Sequence, residues 1–110
     1  MTADLVLTHR FVEEIPERLN ELTVYVSIPY ATIVHLCPCG CGSEIVTPLG
    51  RCDWRLMFDG ESISIWPSIG SWNLPCKSHY WIRRSRVRWA PKWTQRQIEA
   101  SRAIQRRRRP

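Results

Sequence analysis

The most regular pattern in the chain begins at Glu21. Leu22, Val24, Val26 and Ile28 alternate with Thr23, Tyr25 and Ser27, the period-two signature of a half-buried β-strand. Pro29-Tyr30 interrupts it, and residues 31–36 form a second run rich in β-branched side chains. Residues 44–47 predict another short strand ending at Pro48. Residues 54–58 and 62–66 flank Asp59-Gly60, which predicts a hairpin on a type I′ turn with positive φ at both central residues. Residues 67–75, with Gly70 and two serines, read as a loop. Residues 80–82 and 87–89 read as a last hairpin across Arg84-Ser85-Arg86. Residues 1–20 mix Leu5, Val6, Leu7, Phe11, Val12, Ile15 and Leu19 with acids, and predict an extended arm or lead-in strand with a turn near Pro16-Glu17. Short strands without βαβ alternation predict a mainly β, small single-domain antiparallel structure.

One helix interrupts this rhythm. Thr94 stands three residues before Gln97 as in a capping box, and Pro91 marks the boundary before it. Ile98, Ala100, Ala103 and Ile104 give it a thin apolar face, and Arg106 to Arg109 end it in a basic run. The expected division is a β domain over residues 1–93 and a C-terminal helix and basic tail over 94–110.

Composition places the chain among folded proteins: 110 residues, 44% apolar, with six tryptophans. No run is long enough to span a bilayer, and the first residues lack the basic and apolar regions of a signal peptide. The cytoplasm is therefore the expected compartment, where thiols stay reduced and clustered cysteines read first as metal ligands. Charge is unevenly spread. Up to Ile82 there are five Lys/Arg against nine Asp/Glu; from Arg83 onward there are eleven against Glu99 alone. The net +6 belongs to the last quarter of the chain, so a nucleic-acid reading rests there.

Three of the five cysteines alternate with proline and glycine at Cys37, Cys39 and Cys41, and Cys76 lies downstream with His79 three residues later. Soft thiolates on a tight turn are ingredients of a tetrahedral zinc site, with Cys76 or His79 completing the four. Gly40 and Gly42 supply the backbone freedom such a turn needs. The spacing is not the CxxC pair of a zinc ribbon, and the bland alternative is a set of reduced cysteines packing as small hydrophobes. Cys52, isolated beside Arg51, reads as a bystander.

His79 is either the fourth ligand or a general base, against a plain structural role; His35, just before the cysteine turn, is a second candidate. Ser68, Ser71 and Ser78 lie near the returning loop. Adjacent strand residues point to opposite faces, which makes a direct Ser78–His79 dyad awkward and favours Ser68 or Ser71 across the loop. Glu44 is the candidate base of a zinc–water mechanism. The tryptophans are expected mostly in the core, with Trp72 as the exception.

The runs Cys37-Pro-Cys-Gly-Cys-Gly-Ser-Glu-Ile-Val-Thr-Pro-Leu49, Pro67-Ser-Ile-Gly-Ser-Trp72 and Pro75-Cys-Lys-Ser-His-Tyr-Trp-Ile82 resemble a bacterial family catalogued as a domain of unknown function. Its members are encoded beside ubiquitin-like proteins and E1-like and E2-like enzymes. The resemblance covers roughly residues 21–89 and leaves out the arginine tail. It implies a peptidase that matures or removes a ubiquitin-like protein, with the conjugation enzymes as further partners. It implies Cys37, Cys39, Cys41 and Cys76 as metal ligands, a Ser-His pair at Ser78 and His79, and a matching loop at Ser68. Position 71 departs from the family's asparagine, which moves the nucleophile toward Ser68 or Ser78.

The leading expectation is thus a serine/histidine peptidase with a structural zinc, its catalytic residues drawn from Ser78, His79 and Ser68. A zinc metallopeptidase with Glu44 or His35 as base is the first alternative. The second is a non-enzymatic zinc-binding adaptor, or a nucleic-acid binder using Arg83, Arg84, Arg86, Arg88, Arg102 and the terminal arginines interleaved with tryptophans.

Overall fold

A computed structural model describes residues 5–91 and 93–108, with side chains through residue 104. The strands are β1 (Leu5–Val6), β2 (Thr8–Phe11), β3 (Thr23–Ser27), β4 (Thr32–Leu36), β5 (Glu44–Pro48), β6 (Arg55–Phe58), β7 (Ile63–Gly70), β8 (His79–Arg83) and β9 (Arg86–Trp89), followed by helix α1 (Gln95–Arg108). They form a five-stranded sheet in the order β1-β9-β8-β7-β6 and a four-stranded sheet in the order β2-β3-β4-β5. Neighbouring strands are antiparallel except β2 and β3, which pair in parallel. The chain is therefore mainly β with one C-terminal helix.

The two sheets bury one face each against the other. Val24, Val26, Ile33 and Ile45 of the smaller sheet share a cluster with Ile63, Ile65, Ile69, Tyr80, Ile82 and Val87 of the larger. Fully burying one such aliphatic side chain stabilises the fold by about 1.5–3 kcal/mol. The alternation at β3 predicted one wet face, yet all five of its residues are buried. The reason is the segment 12–22, the crossover required by the parallel β2–β3 pair. It lies over the outer face, where Ser27 Oγ donates to the Glu13 carbonyl and the Asn20 N–H donates to the Tyr25 hydroxyl.

Two turns differ from expectation. Strand pairing around Asp59-Gly60 closes at Phe58–Ile63, so the loop has four residues and, of its central pair, only Gly60 has positive φ. The Asp59 carboxylate organises it by accepting from the N–H groups of Glu61 and Ser62 and from the Ser62 hydroxyl. These bonds hold its carboxyl down at about 2. The two-residue turn with positive φ at both positions occurs instead at Arg84-Ser85, between β8 and β9.

The predicted loop 67–75 also begins as strand. β7 runs through Pro67 to Gly70, and its pairing with β8 jumps from Ile65–Ile82 to Ile69–Tyr80. Four residues of β7 thus face two steps of β8, a bulge that the sequence does not announce. The tryptophans contribute little to the core: Trp54 is half-buried and packs against the core cluster, none of the six is fully buried, and Trp66 and Trp89 are exposed. Isoleucine, valine and Tyr80 fill that space instead, leaving the indoles to the surfaces around the site.

Candidate active site and metal centre

The bulge in β7 decides where the chemistry sits. Ile65 and Ile69 both point into the core, so Ser68 and Gly70 belong to the opposite face by alternation. His79 pairs with Gly70 across the sheet and shares that face, while Tyr80 beside it points inward. The result is a hydrogen bond of 2.9 Å between Ser68 Oγ and His79 Nε2. On the other side of the ring, His79 Nδ1 lies 2.8 Å from the Pro91 carbonyl oxygen. A carbonyl only accepts, so Nδ1 carries the proton and Nε2 is left to accept from the serine hydroxyl.

The imidazole is also packed against tryptophan rings. The rings of Trp72 and Trp93 each lie 5.0 Å from it, Trp81 lies 6.0 Å away, and Trp72 stacks on Trp93 at 5.1 Å. Trp72 in turn rests on Gly70: a Cβ there would come within 2.3 Å of the indole. Trp54 Nε1 donates to the Ser68 carbonyl at 3.3 Å and ties the bulge in place. Ser68 opens onto a cleft of about 560 Å³ between the turn before β6, the end of β7 and α1.

Ser78 faces the other way. Its hydroxyl lies 3.6 Å from Cys37 Sγ, where it can donate to a thiolate. Ser71 is buried with no partner for its hydroxyl among the described residues, and Glu44 is exposed on β5. His35 is buried in the core and bonded through Nε2 to the Tyr80 hydroxyl at 2.7 Å. Burial pushes His35 down to about 4 and, aided by the cysteine charges, keeps the Tyr80 phenol well above its ordinary value. His9 packs against Phe11 and Phe58.

The four cysteines converge. Their sulfurs all lie within 4.8 Å of one another, with Cys37–Cys39 at 3.3 Å and Cys76 at 3.9 Å from both Cys37 and Cys41. A tetrahedral ion with bonds of about 2.3 Å requires sulfurs about 3.8 Å apart, so the donor set fits such an ion. The turn is set by positive φ at Gly40 and Gly42 and by the Cys37 N–H donating to the Ser43 carbonyl. Burial pushes the Cys37 thiol up to about 12, so a thiolate there calls for a cation. Hydrogen bonds from the Ser43 side chain and backbone hold Cys41 at about 6. At Cys76 burial works upward, yet the bonds from Ser78 and the other cysteines leave it below its ordinary value. Cys52 is not in this group; it lines the cleft near Ser68.

A family model described as the bacterial ubiquitination-like system serine protease (BubE) matches residues 11–90. The chain belongs to this family. No curated protein and no solved structure matches it. Membership makes the chain a member of a serine protease family, and among the described residues no helix is long and apolar enough to cross a membrane.

Sequence reasoning missed several parts of this site. The Pro91 carbonyl carries no side-chain signal at all. Trp72 was singled out from the other tryptophans and does pack on His79, but the Trp54 anchor and the Trp93 contact were hidden by the expectation that most large aromatics fill a small core. Trp93 and Arg102, which also lines the cleft, lie beyond the residues that the family model covers.

Proposed function

We propose that the protein is a serine peptidase acting on a ubiquitin-like protein, with Ser68 as nucleophile and His79 as general base. The observation that carries this reading is the 2.9 Å bond from Ser68 to a His79 whose other nitrogen is fixed by a backbone carbonyl. Ser68 Oγ attacks the scissile carbonyl carbon and passes its proton to Nε2. The imidazolium then protonates the departing amine, and water, deprotonated by the same nitrogen, hydrolyses the acyl-enzyme. The Pro91 carbonyl keeps the tautomer and orientation, the part that a carboxylate plays in a full triad.

Zinc is the proposed occupant of Cys37, Cys39, Cys41 and Cys76, and it is structural, since four thiolates leave no open position for catalysis. When bound it supplies a cross-link between the cysteine turn and the segment that leads into β8 and His79. Ser78, one residue from His79 yet on the opposite face, braces that cluster. The E1-like and E2-like enzymes implied by the resemblance are the proposed pathway neighbours, and the cytoplasm the proposed compartment.

The test is cleavage of a ubiquitin-like precursor with metal content measured in the same samples. Ser68→Ala should lose activity by ~10³-fold or more and keep its zinc. Ser78→Ala should keep most of its activity. Full activity in Ser68→Ala removes the proposal.

A further inference from the structure

The cleft beside Ser68 has a charge opposite to that of the body around it. Residues up to Ile82 carry only five Lys/Arg against nine Asp/Glu, yet two of those five, Arg51 and Arg55, line this cleft. A third, Arg102, reaches it from α1 and is held by a 2.6 Å bond from its Nη2 to Asn73 Oδ1. The lining's one acid among the described residues is Asp53, so three arginines face a single carboxylate there. Apolar contact comes from Trp54, Trp66 and Trp72 on the same wall. Arginine forks with aromatic neighbours are suited to a planar, bidentate anion on an otherwise apolar chain, which for a peptide is a carboxylate.

We propose that this cleft is a specificity subsite for a carboxylate on the substrate peptide, either an acidic side chain next to the scissile bond or the terminal carboxylate of the segment released. The proposal rests on the peptidase reading of Ser68 for its substrate class. It also gives α1 a function, because Arg102 stands outside the residues shared with the family model. Fixing Arg102 through Asn73 removes rotamer freedom before the ligand arrives, so less is lost on binding.

The experiment measures binding without turnover, using full-length Ser68→Ala with its metal and following tryptophan fluorescence or heat. Three peptides are compared: acetyl-triglycine amide, the same peptide with a central aspartate, and acetyl-triglycine with a free C-terminus. At least one carboxylate peptide should bind about tenfold more tightly than the neutral amide. The winning arm names the source of the carboxylate. Arg102→Gln and the Arg51→Gln/Arg55→Gln pair should each narrow that preference, and about 1 M salt should nearly erase it as the Debye length falls to about 3 Å. Equal binding of all three peptides overturns the subsite, as does inorganic phosphate displacing the carboxylate peptide at equal or lower concentration. Failure of the wild-type chain to react at Ser68 with a fluorophosphonate overturns the peptidase reading instead, and leaves these isotherms to decide the cleft.

Discussion

Gly70 should tolerate no side chain, and the reason should be Trp72 alone. The backbone at Gly70 does not adopt a left-handed φ, so alanine is not strained there by conformation. Its methyl, however, would lie 2.3, 2.4 and 2.6 Å from Trp72 Cε2, Nε1 and Cζ2, all far inside contact distance. The indole cannot give way by tenths of an ångström, because it is held between Gly70, Trp93 and His79. Gly70→Ala must therefore lift Trp72 off both rings. Each aromatic pair lost costs ~0.5–1.5 kcal/mol, so the loss of stability should be ~1–3 kcal/mol. Thermal or urea unfolding measures it, and the rate of fluorophosphonate labelling measures the effect on the serine, which should fall as His79 loses its packing. The decisive assay is a double-mutant cycle. In a Trp72→Ala background the clash is gone, and Gly70→Ala should add less than ~0.5 kcal/mol. An equal cost of Gly70→Ala in both backgrounds would refute the packing argument.

Other expectations follow from the same geometry. If the proposed zinc occupies the cysteine cluster, Cys39→Ser should lose it and unfold at a lower temperature, while Cys52→Ser should keep one zinc per chain by elemental analysis, since only the former residue is in the cluster. Tyr80→Phe leaves His35 buried with neither nitrogen bonded among the described residues, and should cost ~1–3 kcal/mol in chemical denaturation with the zinc content unchanged. Thr94→Ala removes one of the two reciprocal capping bonds between Thr94 and Gln97, and should destabilise α1 by about 1 kcal/mol, seen as faster amide exchange in its first turns.

Local chemistry was the legible part of this sequence. The Thr94–Gln97 cap needs only residues three apart, and both of its bonds form. The alternating run that becomes β3, the β-branched run that becomes β4 and the glycine-bearing cysteine turn are also set by neighbours in sequence. What needed the fold was everything fixed by distant partners. Pro67 and Gly70 read as loop residues, yet a bulge lets them stay in a strand and aims Ser68 at His79. The opposition of Ser78 and His79 followed from strand alternation and the resemblance turned away from Ser71, but the bond between Ser68 and His79 required the register of β7 on β8. Core assignment of the tryptophans erred because indole size suits a core only where a cavity of that shape exists. Here isoleucines pack between the sheets, and five of the six indoles gather around the imidazole and the cleft, while Trp89 packs on Tyr80.

The most direct test of the central claim is to map the covalent adduct of a fluorophosphonate by mass spectrometry on the intact, metal-loaded chain. The account predicts a single adduct on Ser68, lost in His79→Ala and retained in Ser78→Ala. An adduct on Ser78, or labelling of Ser68 at an unchanged rate without His79, would contradict it.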